Sequence, residues 1–272
     1  VQFTAIAWNL FHGRDFPPDP ALFTWRSRLL RITERNATHV QVNRNLFPEF
    51  ATMLAGAEWD VALFQECPPR FAAPLARACR ADGQRALTSR NSLGAIRALA
   101  ARLNPDLIAS GEGGSNLTLI RAEGASGKIV ERRELTIHAG RPERRAMAFT
   151  RTASGLCIAN LHATAGNAAL AAEDVRRAAE AATRWAGDAP LLFGGDLNLR
   201  PARSPRIFEE LRERFDLAAP TAPTAIDHLL VRGMKAVEPP RAWPDGQREV
   251  RCDGRALRLS DHAPVEGRFD CP

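Results

Sequence analysis

A chain of 272 residues with 45% hydrophobic residues, 25% charged residues, 19 Gly and 19 Pro has the composition of a folded protein with a sizeable core, which excludes disorder, collagen and coiled coil. The 37 Lys+Arg against 31 Asp+Glu leave a formal charge of +6 and a pI near 9.7, which invite a polyanionic partner such as nucleic acid, although only Lys128 and Lys235 are lysines and the arginine excess reads nearly as well as coding bias. No run of about 18 uncharged apolar residues exists, so no transmembrane segment is expected.

The apolar periodicity sets out the elements in chain order. Residues 2–9 (QFTAIAWN) read as an apolar strand running into a polar end. A helix is expected over 20–35, where Leu22, Trp25, Leu29 and Ile32 recur at helical spacing, and another over 45–55, through Leu46, Phe50 and Leu54. DVALFQ at 60–65 is a buried strand, and the helix after it, about 69–81, begins in prolines, which a first turn tolerates. Asn91 or Ser92 caps a further helix that Asn104-Pro105 ends at about 103. From 116 the pattern turns to strands, at 116–121, 128–138, 144–151 and 155–162, before an Ala-rich helix over 167–186. The strand 190–194 (PLLFG), a helix over 205–214 and strands at 226–231 (IDHLLV) and 264–269 (PVEGRF) complete the set.

No repeat, charge block or low-complexity linker divides the chain, so 1–272 is expected to be a single domain. Many strands with helices between them, but without regular βαβ alternation, predict an α/β (α+β) fold of two packed mixed sheets with helices outside. Such a sandwich brings loops from both sheets to one shared edge.

The cysteines Cys67, Cys79, Cys157, Cys252 and Cys271 form no CxxC pair and cannot all be bridged within one chain, which favours a reducing, cytoplasmic compartment. Because the chain opens at Val1 directly into a strand, a removed signal peptide, secretion and a Cys252–Cys271 bridge stay open as the alternative. The absence of tyrosine removes phenol chemistry from any mechanism.

Polar residues suited to chemistry close the apolar runs: Asn9, Gln65 and Glu66, Asn160 and His162, Asp196 and Asn198, and Asp261 and His262 ahead of the last strand. Glu, Asp and Asn are hard oxygen donors that suit Mg2+, Mn2+ or Ca2+, while neighbouring histidines suit proton transfer or charge stabilisation. Zincin spacing and paired cysteines, the marks of a zinc site, are absent.

Six segments, AWN at 7–9, ALFQE at 62–66, NLHAT at 160–164, GGDLN at 194–198, IDHLL at 226–230 and SDHAPV at 260–265, stand in an order and spacing that resemble the endonuclease/exonuclease/phosphatase superfamily. That superfamily of metal-dependent phosphohydrolases includes deoxyribonuclease I, AP endonucleases, deadenylases, sphingomyelinases and inositol-polyphosphate phosphatases. The resemblance covers almost the whole chain and implies a four-layered α/β/β/α sandwich, a site at one edge of the paired sheets, and Mg2+ (or Mn2+) as cofactor. GDLNLR at 195–200 is similar to the inositol phosphatases, but their second signature is not matched at 226–230.

By that resemblance Glu66 is the principal metal ligand, with Asn9 at the metal and phosphate and Asp261 a further ligand or next to the water. Asp196 orients or deprotonates the attacking water or binds metal, Asn198 holds the scissile phosphate, Asp227 orients His262, and His162 contacts the phosphate and protonates the leaving oxygen. Arg145, or Arg144 beside it, corresponds to a phosphate-contacting arginine, and Asn116 or Glu112 lies where related proteins have a carboxylate partner for the second histidine. The plainer readings are a turn for Asn9, a structural salt bridge for Glu66, Asx turns at Asp196 and Asn198, and solvated surface arginine. His228 points away from Asp227 along a strand and is read as structural or as a rim residue. Trp8, Trp59 and Phe193 read as core; His12, His39 and His138 lack a supporting cluster, although His12 in HGRD at 12–15 could overhang the site.

The expected activity is divalent-metal-dependent cleavage of phosphodiester bonds, with nucleic acid as substrate and a monomeric enzyme. The alternatives are a sphingomyelinase-like or other lipid or small-molecule phosphoesterase, which would want an exposed apolar hairpin toward which 238–246 offers only Trp243, and a non-catalytic scaffold. Residues 12–58 and 83–114 exceed the superfamily pattern and are expected to set specificity.

Overall fold

A computed structural model describes residues 1–16, 25, 29, 34–35, 40–41, 44–89, 91–103, 112–124, 126–139, 143–218, 221–252 and 254–272. Its first half runs β1 (Gln2–Asn9), β2 (Glu34–Arg35), β3 (Val40–Gln41), α1 (Phe47–Gly56), β4 (Val61–Gln65), α2 (Ala72–Ala78), β5 (Ala81–Leu87), α3 (Gly94–Leu103) and β6 (Ser115–Arg121). The second half runs β7 (Ile129–His138), β8 (Arg145–Thr152), β9 (Cys157–His162), α4 (Ala168–Ala186), β10 (Leu191–Asp196), α5 (Pro205–Phe215), β11 (Asp227–Arg232), β12 (Lys235–Ala242), β13 (Glu249–Cys252), β14 (Arg255–Arg258) and β15 (Val265–Asp270). Among the described residues no helix is long and apolar enough to cross a membrane.

Two mixed sheets result, one of six strands in the order β12-β15-β1-β4-β6-β5 and one of five in the order β11-β10-β9-β8-β7. Each contains one parallel pair, β1 with β4 and β9 with β10, among antiparallel neighbours. Alternation along the strands divides their side chains between an inner and an outer layer. In β1, Ala5 and Ala7 face the space between the sheets with Val61, Leu63, Leu192 and Leu229. Ile6 and Trp8 face outward against Phe50, Leu54 and Leu75 of α1 and α2. On the other side, Phe149, Leu161 and Phe193 meet Val175 and Ala178 of α4 and Leu211 of α5. The layers are therefore helix, sheet, sheet, helix, each large buried side chain contributing about 1.5–3 kcal/mol of transfer free energy.

Local signals set the helix ends. Asn167 caps α4 by accepting from the N–H groups of Ala169 and Leu170, and Gly187 at φ 59 ends it. Alanines at 171, 178, 179 and 182 let this helix lie close on the sheet.

The structure corrects several expectations. Most of 20–35 lies outside the described residues; Trp25 and Leu29 are helical and exposed, whereas Glu34–Arg35 is a strand paired with Val40–Gln41. The helix expected to about 81 stops at Ala78, and Ala81–Leu87 is a strand paired with β6. Its apolar alternation is broken because the buried Gln84 is satisfied by Thr150 Oγ1 at 2.7 Å and Arg133 O at 2.6 Å. β12 was not expected either, since it carries Pro239 and Pro240; it is an edge strand with register shifts, where proline is tolerated. Trp243, all that 238–246 offered toward an exposed apolar hairpin, is half-buried and donates from Nε1 to Glu266 Oε2 at 2.8 Å. Cys271 is a free thiol, so the Cys252–Cys271 bridge is not formed.

Candidate active site

Strand direction gathers the polar residues at one edge. β1 and β4 run parallel and end in register at Asn9 and Gln65, while β9 and β10 run parallel and end at His162 and Asp196. β11 is antiparallel to β10, so its first residue, Asp227, lies opposite Asp196, and the turn carrying Asp261 and His262 enters the antiparallel β15 from the same end. Beneath this edge a buried amide pair joins the sheets, Gln65 Nε2 donating to Asn160 Oδ1 at 2.7 Å and Asn160 Nδ2 donating to Phe64 O at 3.2 Å. Gly195 keeps the approach close: its φ is +120°, and an added Cβ would sit 2.1 Å from Leu161 O and 2.8 Å from Gln65 Nε2.

Asp196, at 2% exposure, is the hub. Its Oδ2 accepts from Asn9 Nδ2 at 3.0 Å and lies 3.5 Å from His162 Nε2 and 3.9 Å from His262 Nε2. Its Oδ1 accepts from the backbone N–H of Asn198 at 3.1 Å, so the Asx-turn reading is also correct. Burial, then the Asp227 and Glu66 charges, push the Asp196 carboxyl up to about 7 against the opposing pull of His262 and Asn9. Asn198 sits at φ 52 and donates from Nδ2 to Ala163 O at 3.1 Å. Asn9 Oδ1 accepts from Phe11 N–H at 3.0 Å, which orients its amide nitrogen toward Asp196.

The two histidines near Asp196 are held in opposite states. Burial works against a charged His262, yet Asp227, with its Oδ2 2.7 Å from Nδ1, and Asp196 outweigh it and raise the imidazole to about 10. His262 is seated by its backbone: its N–H donates to Ser260 Oγ at 3.1 Å and its O accepts from Trp8 Nε1 at 2.8 Å. Ser260, at φ 60, donates from Oγ to Asn9 O at 2.6 Å, and Arg248 Nη1 donates to Ser260 O at 2.6 Å. His162 is held neutral, its pKa driven well below the ordinary range by burial and then by Arg145. The Arg145 Nη1 lies 3.4 Å from His162 Nδ1, and since a guanidinium can only donate, the ring proton is on Nε2, facing Asp196 and Glu66 Oε1 at 3.9 Å.

Glu66 stands at φ 47 directly after β4. No arginine or lysine pairs with it among the described residues; its partners within 4 Å are His12, with Nε2 3.1 Å from Oε2, and His162. Sequence reasoning left His12 unassigned, and its one signal was proximity to the first motif. Ser260 and Arg248 were also missed, for their roles are visible only as backbone contacts. Arg145 is buried behind His162, and Arg144 pairs with Glu134 in solvent at 3.0 Å. Neither residue weighed as a partner for His162 reaches it: Asn116 donates to Ala146 O at 2.7 Å, and Glu112 pairs with Arg70. His228 is structural, accepting from Thr221 N–H at Nδ1 and lying 3.0 Å from Leu199 O through Nε2. His138 faces Arg145 in the sheet register, and His39 lies outside the described residues.

The donor set suits a hard divalent cation. Asp196, Asp227 and His262 bring ligand atoms within 4.8 Å of one another, but His262, protonated against Asp227, has no lone pair for a metal, which leaves the carboxylates, among them the buried Asp227 Oδ1 that has no hydrogen-bond partner. Burial raises the Asp261 carboxyl, and Glu66 raises it further, so both it and Asp196 carry the strain of crowded negative charge.

No protein-family model matches the sequence, and no curated protein matches it. Solved structures do. An endonuclease/exonuclease/phosphatase family protein from Bacteroides thetaiotaomicron superposes with a TM-score of 0.65 at 15% identity over 99% of this chain and 95% of that one. A mannosyl-6-phosphatase from the same species gives 0.64 at 13% identity over 98% and 99%. TDP2 from Caenorhabditis elegans gives 0.58 at 13% identity over 98% of this chain and 75% of its own. The chain has the endonuclease/exonuclease/phosphatase fold.

Proposed function

We propose that this chain is a divalent-cation-dependent hydrolase of phosphate esters, cleaving a phosphodiester of nucleic acid at the edge built by Glu66, Asp196, His162 and His262. The observation that carries the reading is Asp196 standing between a neutral imidazole 3.5 Å away and a protonated one 3.9 Å away. Phosphoester hydrolysis needs charge stabilised on the phosphoryl oxygens, a water aligned with the leaving oxygen, and two proton transfers. This chain supplies a group for each.

Asp196, its carboxyl near 7, takes the proton of the attacking water and aims it. His262, held protonated by Asp227, stabilises developing negative charge. His262, being protonated, also gives its Nε2 proton to the leaving oxygen, while the neutral His162 donates a hydrogen bond from Nε2 to the phosphate that Asn9 and Asn198 position. Arg145 acts through His162, whose tautomer it sets. Glu66 and Asp261 would hold Mg2+ or Mn2+, beside Asn9. Bound there, the cation would supply Lewis-acid stabilisation of the phosphoryl oxygens.

The charge of +6 supports a nucleic-acid substrate. A phosphomonoester is a second reading, supported by the end-to-end match to the mannosyl-6-phosphatase. A scaffold without turnover is disfavoured because every motif residue of the site is present. The test is hydrolysis of a generic phosphodiester and a generic phosphomonoester with and without EDTA, together with Asp196→Asn and His262→Ala. Wild-type turnover in both variants would remove the assignment.

A further inference from the structure

We propose that His12 is a nitrogen ligand of the cation held at Glu66, which makes this a site for a transition cation, Mn2+ in preference to Mg2+. The proposal rests on the cation-dependent reading of this edge and deepens it. His12 Nε2 lies 3.1 Å from Glu66 Oε2. Two donor atoms about 2.1 Å from one octahedral cation, at right angles to each other, lie about 3 Å apart, so the pair already stands at the spacing of neighbouring ligands.

The backbone fixes that spacing. The chain leaving β1 stays bonded to the chain leaving β4, with Leu10 N–H donating to Gln65 O at 2.8 Å and His12 N–H to Glu66 O at 3.1 Å. Both residues are left-handed there, His12 at φ 54 and Glu66 at φ 47, and from that backbone their side chains meet. Two glycines frame the turn. A Cβ on Gly13, at φ +72, would fall 2.6 Å from the Phe71 ring, and one on Gly114 would stand 3.6 Å from both His12 Cε1 and Glu66 Cα. The imidazole is 11% exposed and the carboxylate 23%, so the pair is mostly enclosed yet open to a cation from solvent.

Geometry singles out this ring among the histidines of the site. His262 Nδ1 is taken by Asp227 at 2.7 Å, and its Nε2 lies toward Asp196. His162 comes no nearer than 3.9 Å to Glu66, and it faces that carboxylate with the nitrogen that carries its proton. His12 Nε2 points at the carboxylate directly, and a neutral ring with its proton on Nδ1 has a lone pair to give there. Among the described residues no arginine or lysine pairs with Glu66, so no permanent cation occupies the carboxylate. Glu66, Asp261 and Asn9 alone would form an all-oxygen set, which suits Mg2+; an imidazole added to it favours a first-row transition ion.

The experiment titrates the EDTA-treated and dialysed full chain with Mn2+, following free Mn2+ by electron paramagnetic resonance with Mg2+ as competitor, and reads nitrogen coupling in the electron spin echo of the bound ion. Wild type is expected to bind Mn2+ at least about tenfold more tightly than Mg2+ and to show coupling to an imidazole nitrogen. His12→Asn keeps a residue that tolerates left-handed backbone. It is expected to lose that coupling and about tenfold or more of the Mn2+ affinity, with Mg2+ affinity nearly unchanged. Bound Mn2+ without nitrogen coupling in wild type, coupling that survives in His12→Asn, or equal wild-type affinities for Mn2+ and Mg2+ would each overturn the proposal, and the first and last of these need no variant. Turnover is scored apart. Metal-dependent hydrolysis without nitrogen coupling removes the His12 ligand alone, whereas nitrogen-coupled Mn2+ without turnover removes the hydrolytic reading alone.

Discussion

Asn9, the last residue of β1 in one sheet, donates from Nδ2 to Oδ2 of Asp196, the last residue of β10 in the other, at 3.0 Å. This bond stitches the two sheets together at the edge where the site lies, and it is one of the few contacts that favour the charged form of Asp196. Asn9→Ala leaves a buried carboxylate short of a donor, at a cost of about 1–3 kcal/mol. The expected outcome is a lower melting temperature together with a pH–rate profile whose acidic limb moves upward. A variant that lost stability but kept the wild-type limb would show that Asn9 acts only as a structural residue.

The Asp227–His262 pair sets the alkaline side. Because the folded pKa of His262 is raised from 6.5 to about 10, the pair stabilises the fold fully below the ordinary histidine value, and that stability is lost as pH rises through about 10. Asp227→Asn removes the strongest opposing charge and leaves the burial that disfavours imidazolium. His262 should then titrate at a markedly lower pH, measured by NMR of the ring protons, and the high-pH loss of stability should move down with it. An unchanged titration would mean that Asp227 does not hold the ring.

Asp196 has the opposite sign. A carboxyl raised from 3.8 to about 7 binds a proton more tightly folded than unfolded, so without a cation stability falls as pH rises from about 4 through 7. Asp196→Asn removes that buried charge. It should raise the melting temperature at pH 8 in EDTA while reducing phosphoester turnover by at least about a hundredfold. Mg2+ should stabilise wild type more at pH 8 than at pH 5, because protons and cation compete for the same carboxylates. Equal Mg2+ shifts at the two pH values would argue against cation binding at this cluster.

The motif residues were legible because each closes an apolar run: a polar group after ALF or LLF has no structural reason to be there, and strand direction then delivers it to the common edge. His12 was not legible, since its contact with Glu66 depends on left-handed backbone at 12 and 66 that no periodicity signals. β5 and β12 were hidden for a different reason. Gln84 in one and Pro239-Pro240 in the other break the apolar alternation that marks a strand, and only the buried hydrogen bonds of Gln84 and the edge position of β12 permit them. Arg145 was expected at the phosphate or, more plainly, in solvent; its place behind His162 was not legible, because nothing in a strand's periodicity tells which imidazole a neighbouring strand will set in front of it.

Gly195 offers a test of how closely the sheets must approach. Glycine is required twice over here, by a φ of +120° and by the space a side chain would need, since a Cβ would fall 2.1 Å from Leu161 O. Leu161 is in β9, which pairs with β10 in the same sheet, and Gln65 in β4 would also be displaced from the other sheet. Neither neighbour is the free end of a mobile side chain, so Gly195→Ala must spread β9 from β10 or push Gln65 off Asn160. The expected destabilisation exceeds about 3 kcal/mol, from backbone strain and overpacking together. Gly246→Ala, where an added Cβ meets nothing within 4 Å, is the matched control and should be close to neutral. If Gly195→Ala folded with wild-type stability, the close approach of Gly195 to Leu161 and Gln65 beneath the site would be refuted, and with it the geometry that brings Asn9 within reach of Asp196.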